Sequence, residues 1–157
     1  FYRYGWSHEL LFGLVLISLV MPITVSDIAY RKIPNAILLF FSPIFFVLRI
    51  DALGDALLGA LVAFGLLMLI VVLSKGGMGL GDVKYFTLLG FAFGPLAFLL
   101  LFFLATLYGA LIGVIVLQVK KTGRKTKIPF APSIGLAAFT VFYYGEAIIQ
   151  WYLSYFL

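Results

Sequence analysis

SKGGMGLGDVKYF, residues Ser74–Phe86, interrupts a chain built almost wholly from apolar runs. Before it stands ALLGALVAFGLLMLIVVL, Ala56–Leu73, eighteen residues without a charge. An uncharged apolar run of that length reads as a membrane helix. After it the apolar character resumes and lasts to Gly94-Pro95. The interruption itself holds Gly76, Gly77, Gly79 and Gly81, with Lys75, Asp82 and Lys84. A carboxylate after so much glycine, at the mouth of a hydrophobic helix, calls for a reason.

The rest of the chain fits a membrane reading. Of 157 residues, 64% are hydrophobic, 18% aromatic and 11% charged, whereas a soluble domain is about 25% charged. A transmembrane β-barrel would alternate apolar and polar residues; here the apolar runs are continuous. The expected class is an all-α polytopic membrane protein, forming a single transmembrane domain over residues 1–157. Cysteine is absent and histidine occurs once, at His8, so disulfides and thiolate metal sites are excluded and no metal site is expected. The chain opens FYRYGW, with no Met and no basic segment of a signal peptide. That opening suggests the middle of a longer protein with an upstream part.

Six apolar segments can be drawn: about Leu10 to Val25, Ile33 to Leu48, Ala56 to Leu73, Val83 to Gly94, Pro95 to Gln118, and Ser133 to Phe156. About six transmembrane helices are therefore expected. The fourth is short of the roughly 20 residues of a full crossing, and Gly94-Pro95 marks its natural end. The net charge is +5. In a soluble chain that would suggest nucleic acid. Here nine of the eleven cations lie in three connections: Arg31 and Lys32; Lys75 and Lys84; and Lys120, Lys121, Arg124, Lys125 and Lys127. Only Arg3 and Arg49 lie on the other side. The positive-inside rule puts the three connections in the cytoplasm and both ends of the chain outside. The basic 120–127 loop reads as orientation and anionic-lipid contact. The partner implied by the charge is the lipid bilayer, not nucleic acid.

Six acids exist: Glu9, Asp27, Asp51, Asp55, Asp82 and Glu146. Asp51 and Asp55 read as solvated outer-loop residues or helix caps, and Glu9 and Glu146 as interfacial anchors. Asp27 ends the first segment in TVSDIAYRKIPN, and Asp82 begins the fourth. Far apart in sequence, they fall at the same cytoplasmic depth. Ionisable groups at the edge of lipid are costly and mark function. Two carboxylates that meet there can share a proton, one activating water and the other protonating a carbonyl or leaving group. Taken singly, each has a plainer reading: Asp82 as an N-cap, Asp27 as a loop residue paired with Arg31. The glycines would let irregular backbone approach a peptide closely, at a depth where such backbone must be buried in protein or line a wet cavity. A phosphate loop does not match, because the G-x-x-x-x-G-K-[ST] spacing and a preceding strand are missing. A different class remains as the alternative: a small proton-coupled transporter using Asp27 and Asp82 as a relay. Transporters often show repeated halves, and no repeat is visible here.

Three motifs in order carry a resemblance: SDIAYRKIPN, the G-x-G-D of Gly79-Leu80-Gly81-Asp82 followed by Val83-Lys84, and KIPFAPSIGLA. Together they resemble the type IV prepilin peptidases, membrane aspartyl proteases of the G-x-G-D class, over about Tyr4 to Ala138. The resemblance implies that Asp27 and Asp82 are the catalytic pair and need no cofactor for proteolysis. It implies prepilin or pseudopilin substrates of pilus or secretion systems, cut between a Gly and usually a Phe at the cytoplasmic face of the inner (plasma) membrane. Gly79, Gly81, Lys84, Pro129, Phe130 and Pro132 would bind substrate or shape the loops around the pair. Many such proteins also N-methylate the new terminus with S-adenosylmethionine and carry an upstream Cys-x-x-Cys domain. With no cysteine here, that domain would lie outside this chain, and methylation would belong to a full-length protein. Ala131 stands where the family often has Gly, a change expected to affect loop packing more than chemistry. No oligomeric state follows from the resemblance.

Overall fold

The computed structural model describes residues 8–30, 33–75, 80–120 and 130–156. Six α-helices follow one another: α1 His8–Tyr30, α2 Asn35–Leu48, α3 Leu53–Leu73, α4 Leu80–Phe93, α5 Pro95–Lys120 and α6 Ala131–Phe156, with a 3₁₀ turn, Ile50–Ala52, between α2 and α3. Among the described residues there is no strand. The chain is an all-α membrane protein. Three helices are long and apolar enough to cross a bilayer, within α1, α3 and α5; α6 is bent by 68° and counts as a fourth only if its two halves are taken as one span. The 14-residue helices α2 and α4 each rise roughly 21 Å at about 1.5 Å per residue, short of a hydrocarbon core of about 30 Å.

Several helix boundaries differ from the apolar runs, and three of the differences lie at the end of the bundle that carries Asp27 and Asp82. α1 continues past Val25 to Tyr30, α4 starts at Leu80 rather than Val83, and α6 starts at Ala131 rather than Ser133. At α1 and α4 the helix continues although hydrophobicity does not, because Asp27, Tyr30 and Asp82 face a cavity; α6 gains only Ala131 and Pro132. Gly81 is consequently helical instead of part of an extended loop. A Cβ on it would stand 3.2 Å from Ile33 Cβ, so its lack of a side chain admits the α1–α2 connection. Gly76, Gly77, Gly79, Pro129, Arg31, Lys32 and the basic loop after Lys120 lie outside the described residues, as do the side chains of His8, Glu9, Asp51 and Glu146.

Packing is densest between α3 and α4 and between α5 and α6. α3 and α4 cross backbone to backbone. A Cβ on Gly59 would collide with the Gly90 carbonyl oxygen, and one on Gly90 would lie 2.6 Å from the Gly59 oxygen. Small residues at a crossing are how membrane helices gain contact, since lipid supplies no hydrophobic drive to associate. α4 then passes into α5 through one residue. Gly94 adopts a φ of 91°, its N–H donates to Gly90 O at 2.9 Å, and Pro95 opens α5. Glycine past a helix end and proline at the next helix start suit this reversal. Asp55, in the first turn of α3, abuts Gly94 and accepts a 2.7 Å bond from Arg49 Nη2. Rather than being merely solvated, Asp55 is therefore half of an ion pair that ties the α2–α3 turn to the α4–α5 reversal.

Two carboxylates at one depth would be brought together by side-by-side packing of α1 and α4 at the end that carries Asp27 and Asp82, but the bundle does not pack that way. The two helices do not pack along their length. They touch at the far end, where the Phe12 and Phe93 rings meet edge-on at 5.4 Å, and a cavity separates them at the other. α1 is held by α2 and α6, and α4 by α2, α3 and α5.

Candidate active site

Asp27 is carried by the last turn of α1 and Asp82 by the first turn of α4. Both line one cavity of about 630 Å³, together with Gly81, Lys84, Asn35 and Tyr30. Asp27 is 7% exposed and Asp82 half-buried. Among the described residues, neither carboxylate forms an ion pair. Lys84, two residues beyond Asp82, turns its Nζ to Asn35 Oδ1 at 3.2 Å instead, bridging α4 to the start of α2.

What holds Asp27 is backbone. The Ala131 N–H donates to Asp27 Oδ2 at 2.9 Å, in a buried position. Ala131 is the first residue of α6, so its N–H has no partner within that helix. The close fit of α1 on α6 sets the register: a Cβ on Gly135 would lie 2.6 Å from Val20 Cγ1 and 3.5 Å from Thr24 Oγ1. Asp27 is one turn beyond Thr24, and Ala131 one turn before Gly135, so the antiparallel pair brings them together. Asp82 sits in the first turn of its own helix. The positive ends of two helices, α4 and α6, thus converge on the cavity, where they favour negative charge.

The remaining sequence-predicted residues separate. Gly81 and Lys84 line the cavity. Phe130 packs into the core, its ring 6.0 Å from that of Phe86 and close against Gly109. Pro132 occupies the first turn of α6 and does not line the dyad cavity. Three features were not anticipated. One is the Ala131 N–H, for which a residue type gives no signal, since every residue except proline offers one. The second is Asn35, whose only hint was its place in the Ile-Pro-Asn motif. The third is Tyr85, one turn past Asp82: fully buried, within electrostatic reach of both carboxylates, its hydroxyl without a hydrogen-bond partner among the described residues. An unpaired buried hydroxyl costs about 1–3 kcal/mol.

Two carboxylates on one cavity, neither in an ion pair among the described residues, can do general acid–base chemistry on water and a carbonyl. Among the described residues no three His, Cys, Asp or Glu side chains gather where a metal ion could be held. The model of the type IV leader peptidase family matches residues 14–114, a span that includes both aspartates. The chain belongs to that family. A prepilin leader peptidase/N-methyltransferase of Bacillus subtilis is 36% identical over 156 residues, covering 97% of this chain and 63% of the relative. Proteins of the same name from Legionella pneumophila and Aeromonas hydrophila are 27% and 29% identical, covering 99% and 98% of this chain and 58% and 55% of the relatives. The chain therefore spans somewhat over half the length of these family members. No solved structure matches it.

Proposed function

We propose that this chain is the membrane-embedded catalytic part of an aspartyl endopeptidase that removes the leader from type IV prepilin or pseudopilin-like substrates. One observation carries the reading: Asp27 and Asp82, 55 positions apart in sequence, face a single cavity at one end of the bundle. Family membership and the names of the relatives support the same chemistry.

The dyad holds one proton between its two carboxyls, because like charges so placed do not both ionise cheaply. The ionised carboxylate takes a proton from water as the oxygen attacks the scissile carbonyl. The protonated partner donates to the carbonyl oxygen. Collapse of the tetrahedral adduct breaks the C–N bond, and a proton passes to the departing amine. The products are a free leader carboxylate and a new N-terminal amine. A helical peptide bond is closed to attack, so the scissile segment is extended within the cavity. The start of α6 holds Asp27 in place through the Ala131 N–H. The cavity lies at the cytoplasmic face of the inner membrane, with both ends of this chain on the opposite side and six membrane-inserted helices between them.

The relatives' name also includes an N-methyltransferase. For a full-length protein we assign methylation of the new amine to S-adenosylmethionine as donor; no residue here is given a part in it, and the dyad takes none. The transporter reading gains nothing, since the two acids stand at one end of the bundle instead of midway along it. Co-expression with a type IV prepilin tests the proposal. Leader removal, seen as a shift on a gel and as a new N-terminus by mass spectrometry, is expected from the active protein and not from Asp27→Asn. An uncut prepilin in both would overturn it. For sidedness, Gly54→Cys, at an open position, is expected to react with an impermeant thiol reagent outside intact cells, and Ser74→Cys not to react. The reverse pattern would invert the topology.

A further inference from the structure

A second cavity, of about 620 Å³, adjoins the dyad cavity and shares Asn35 and Lys84 with it. Its shape follows from the packing. α2 and α3 both lean on α4 but do not pack along one another. They are joined only at the far end, through the short Ile50–Ala52 turn. A cleft is left between them, with α4 as its floor. Its lining repeats at helical spacing on α2 (Asn35, Leu38, Ser42, Phe46) and on α4 (Lys84, Thr87, Leu88, Phe91). Phe46 and Phe91 stack at 6.4 Å across the end remote from the dyad. From Asn35 to Phe46 is eleven residues, about 16 Å or three helical turns.

The chemistry of the lining is one-sided. Ser42 Oγ donates to Leu38 O at 2.6 Å and Thr87 Oγ1 to Val83 O at 2.7 Å. Both hydroxyls are satisfied on their own helices and ask nothing of an occupant. Ala60 on α3, with Ser42 and Thr87, keeps parts of the wall low, which favours close helix approach in a bilayer. The polar pair is at the mouth alone, where Asn35 and Lys84 join the two cavities.

We infer that this cleft between α2, α3 and α4 seats the first three turns of the substrate's own membrane helix, with the Asn35–Lys84 bridge marking the point where that helix gives way to the extended segment in the dyad cavity. The inference rests on the peptidase reading above. A chain that is apolar and helical on one side of its scissile bond, and polar and extended on the other, needs two differently lined compartments that meet. Acyl chains can fill any apolar groove, but they gain nothing from its continuity with the dyad. An exposed apolar face elsewhere, such as that of Leu111 on α5, lacks both the concavity and the connection.

The test uses Asp27→Asn protein, to prevent turnover, with p-benzoylphenylalanine at Phe64 of the cleft or at Leu111. Each is co-reconstituted with a prepilin in phosphatidylethanolamine/phosphatidylglycerol vesicles and irradiated. Adducts to the prepilin at position 64 are expected to exceed those at 111 by roughly tenfold, a difference of about 1.4 kcal/mol in local occupancy. Equal yields at the two positions, or lipid adducts alone at 64, would overturn the cleft assignment. Unsubstituted protein is assayed on the same vesicles. If it leaves the prepilin uncut, the peptidase reading fails. If it cuts but position 64 gives no prepilin adduct, only the cleft assignment fails. Independently, Ala60→Phe raises KM for the membrane-bound prepilin by about tenfold with kcat within about threefold, the pattern of lost uniform binding. Leu111→Phe leaves both unchanged. Unchanged KM in an Ala60→Phe protein that still cleaves would contradict the assignment.

Discussion

Each end of the bundle holds an open cavity of about 600 Å³ with aspartate in its wall, yet the two ends treat the charge in opposite ways. At the end formed by the α2–α3 turn and the α4–α5 reversal, Asp55 meets Arg49 at 2.7 Å and abuts Gly94. The charge is neutralised and the pair pins two connections. At the other end Asp27 and Asp82 share a cavity with no cation paired to either among the described residues, and Lys84 is engaged by Asn35. Their support is a backbone N–H and the ends of two helices. Charge at the membrane edge is costly, yet the fold pairs one aspartate with a cation and, among the described residues, leaves the two others without one. The difference lies in what surrounds each carboxylate, not in residue type.

The contrast is broken most sharply by removing charge at each end. Asp27→Asn or Asp82→Asn is expected to lower the cleavage rate by about 10⁴-fold or more, the scale seen when a member of a catalytic unit is removed. Asp55→Asn is expected to cleave at nearly the full rate. A prepilin cleavage assay with the three purified variants checks this, and an Asp55 variant as inactive as the others would erase the distinction. Next in size is the backbone donor. Ala131→Pro removes the N–H, at the first helical position where proline is tolerated. A hydrogen bond to a charged group contributes about 1.5–3 kcal/mol, so kcat is expected to fall by about 10–100-fold. Ala131→Gly, which keeps the N–H, is expected to restore most of it.

Effects at the Asp55 end are expected in stability instead of rate. Gly94→Ala forces a side chain into a φ of 91° and onto Asp55. A loss of about 1–3 kcal/mol is expected, read as a lower thermal midpoint in detergent with kcat preserved. Arg49→Met leaves Asp55 unpaired. Because that carboxylate is half-exposed, the loss is smaller, about 1 kcal/mol. Smallest is Tyr85→Phe. Deleting a buried hydroxyl with no partner among the described residues is expected to raise stability by up to about 1 kcal/mol. A drop would mean that the hydroxyl is hydrogen-bonded in the folded protein.

Much of this division was legible in the sequence. Continuous apolar runs fix six helices and their order, since each run must satisfy its own backbone in lipid. Asp27 and Asp82 stand out because each interrupts that pattern at the same depth. What was hidden is what apolarity does not encode. Helix ends lie two to five residues from the ends of the apolar runs at Tyr30, Leu80 and Ala131, at the first two because polar residues continue the helix where it faces a cavity. The Arg49–Asp55 pair spans a helix boundary, so no i, i+4 spacing announces it. Gly59 and Gly90 look like ordinary membrane glycines until the crossing brings their backbones together. The Ala131 N–H is invisible in principle, since a backbone donor is the same at every residue but proline. Seen from the sequence, Ala131 was a packing detail; in the fold it is the group that holds Asp27.

The central claim is that Asp27 and Asp82 work as one unit, and a double-mutant cycle on cleavage tests it most directly. Initial rates are measured for Asp27→Asn, Asp82→Asn and the double variant on one prepilin at saturating concentration. Residues that act only together are strongly non-additive. The double variant is expected to be no slower than either single variant, all three falling to the same residual rate. Losses that multiply, or a single variant that retains near-full activity, would show two independent carboxylates and contradict the account.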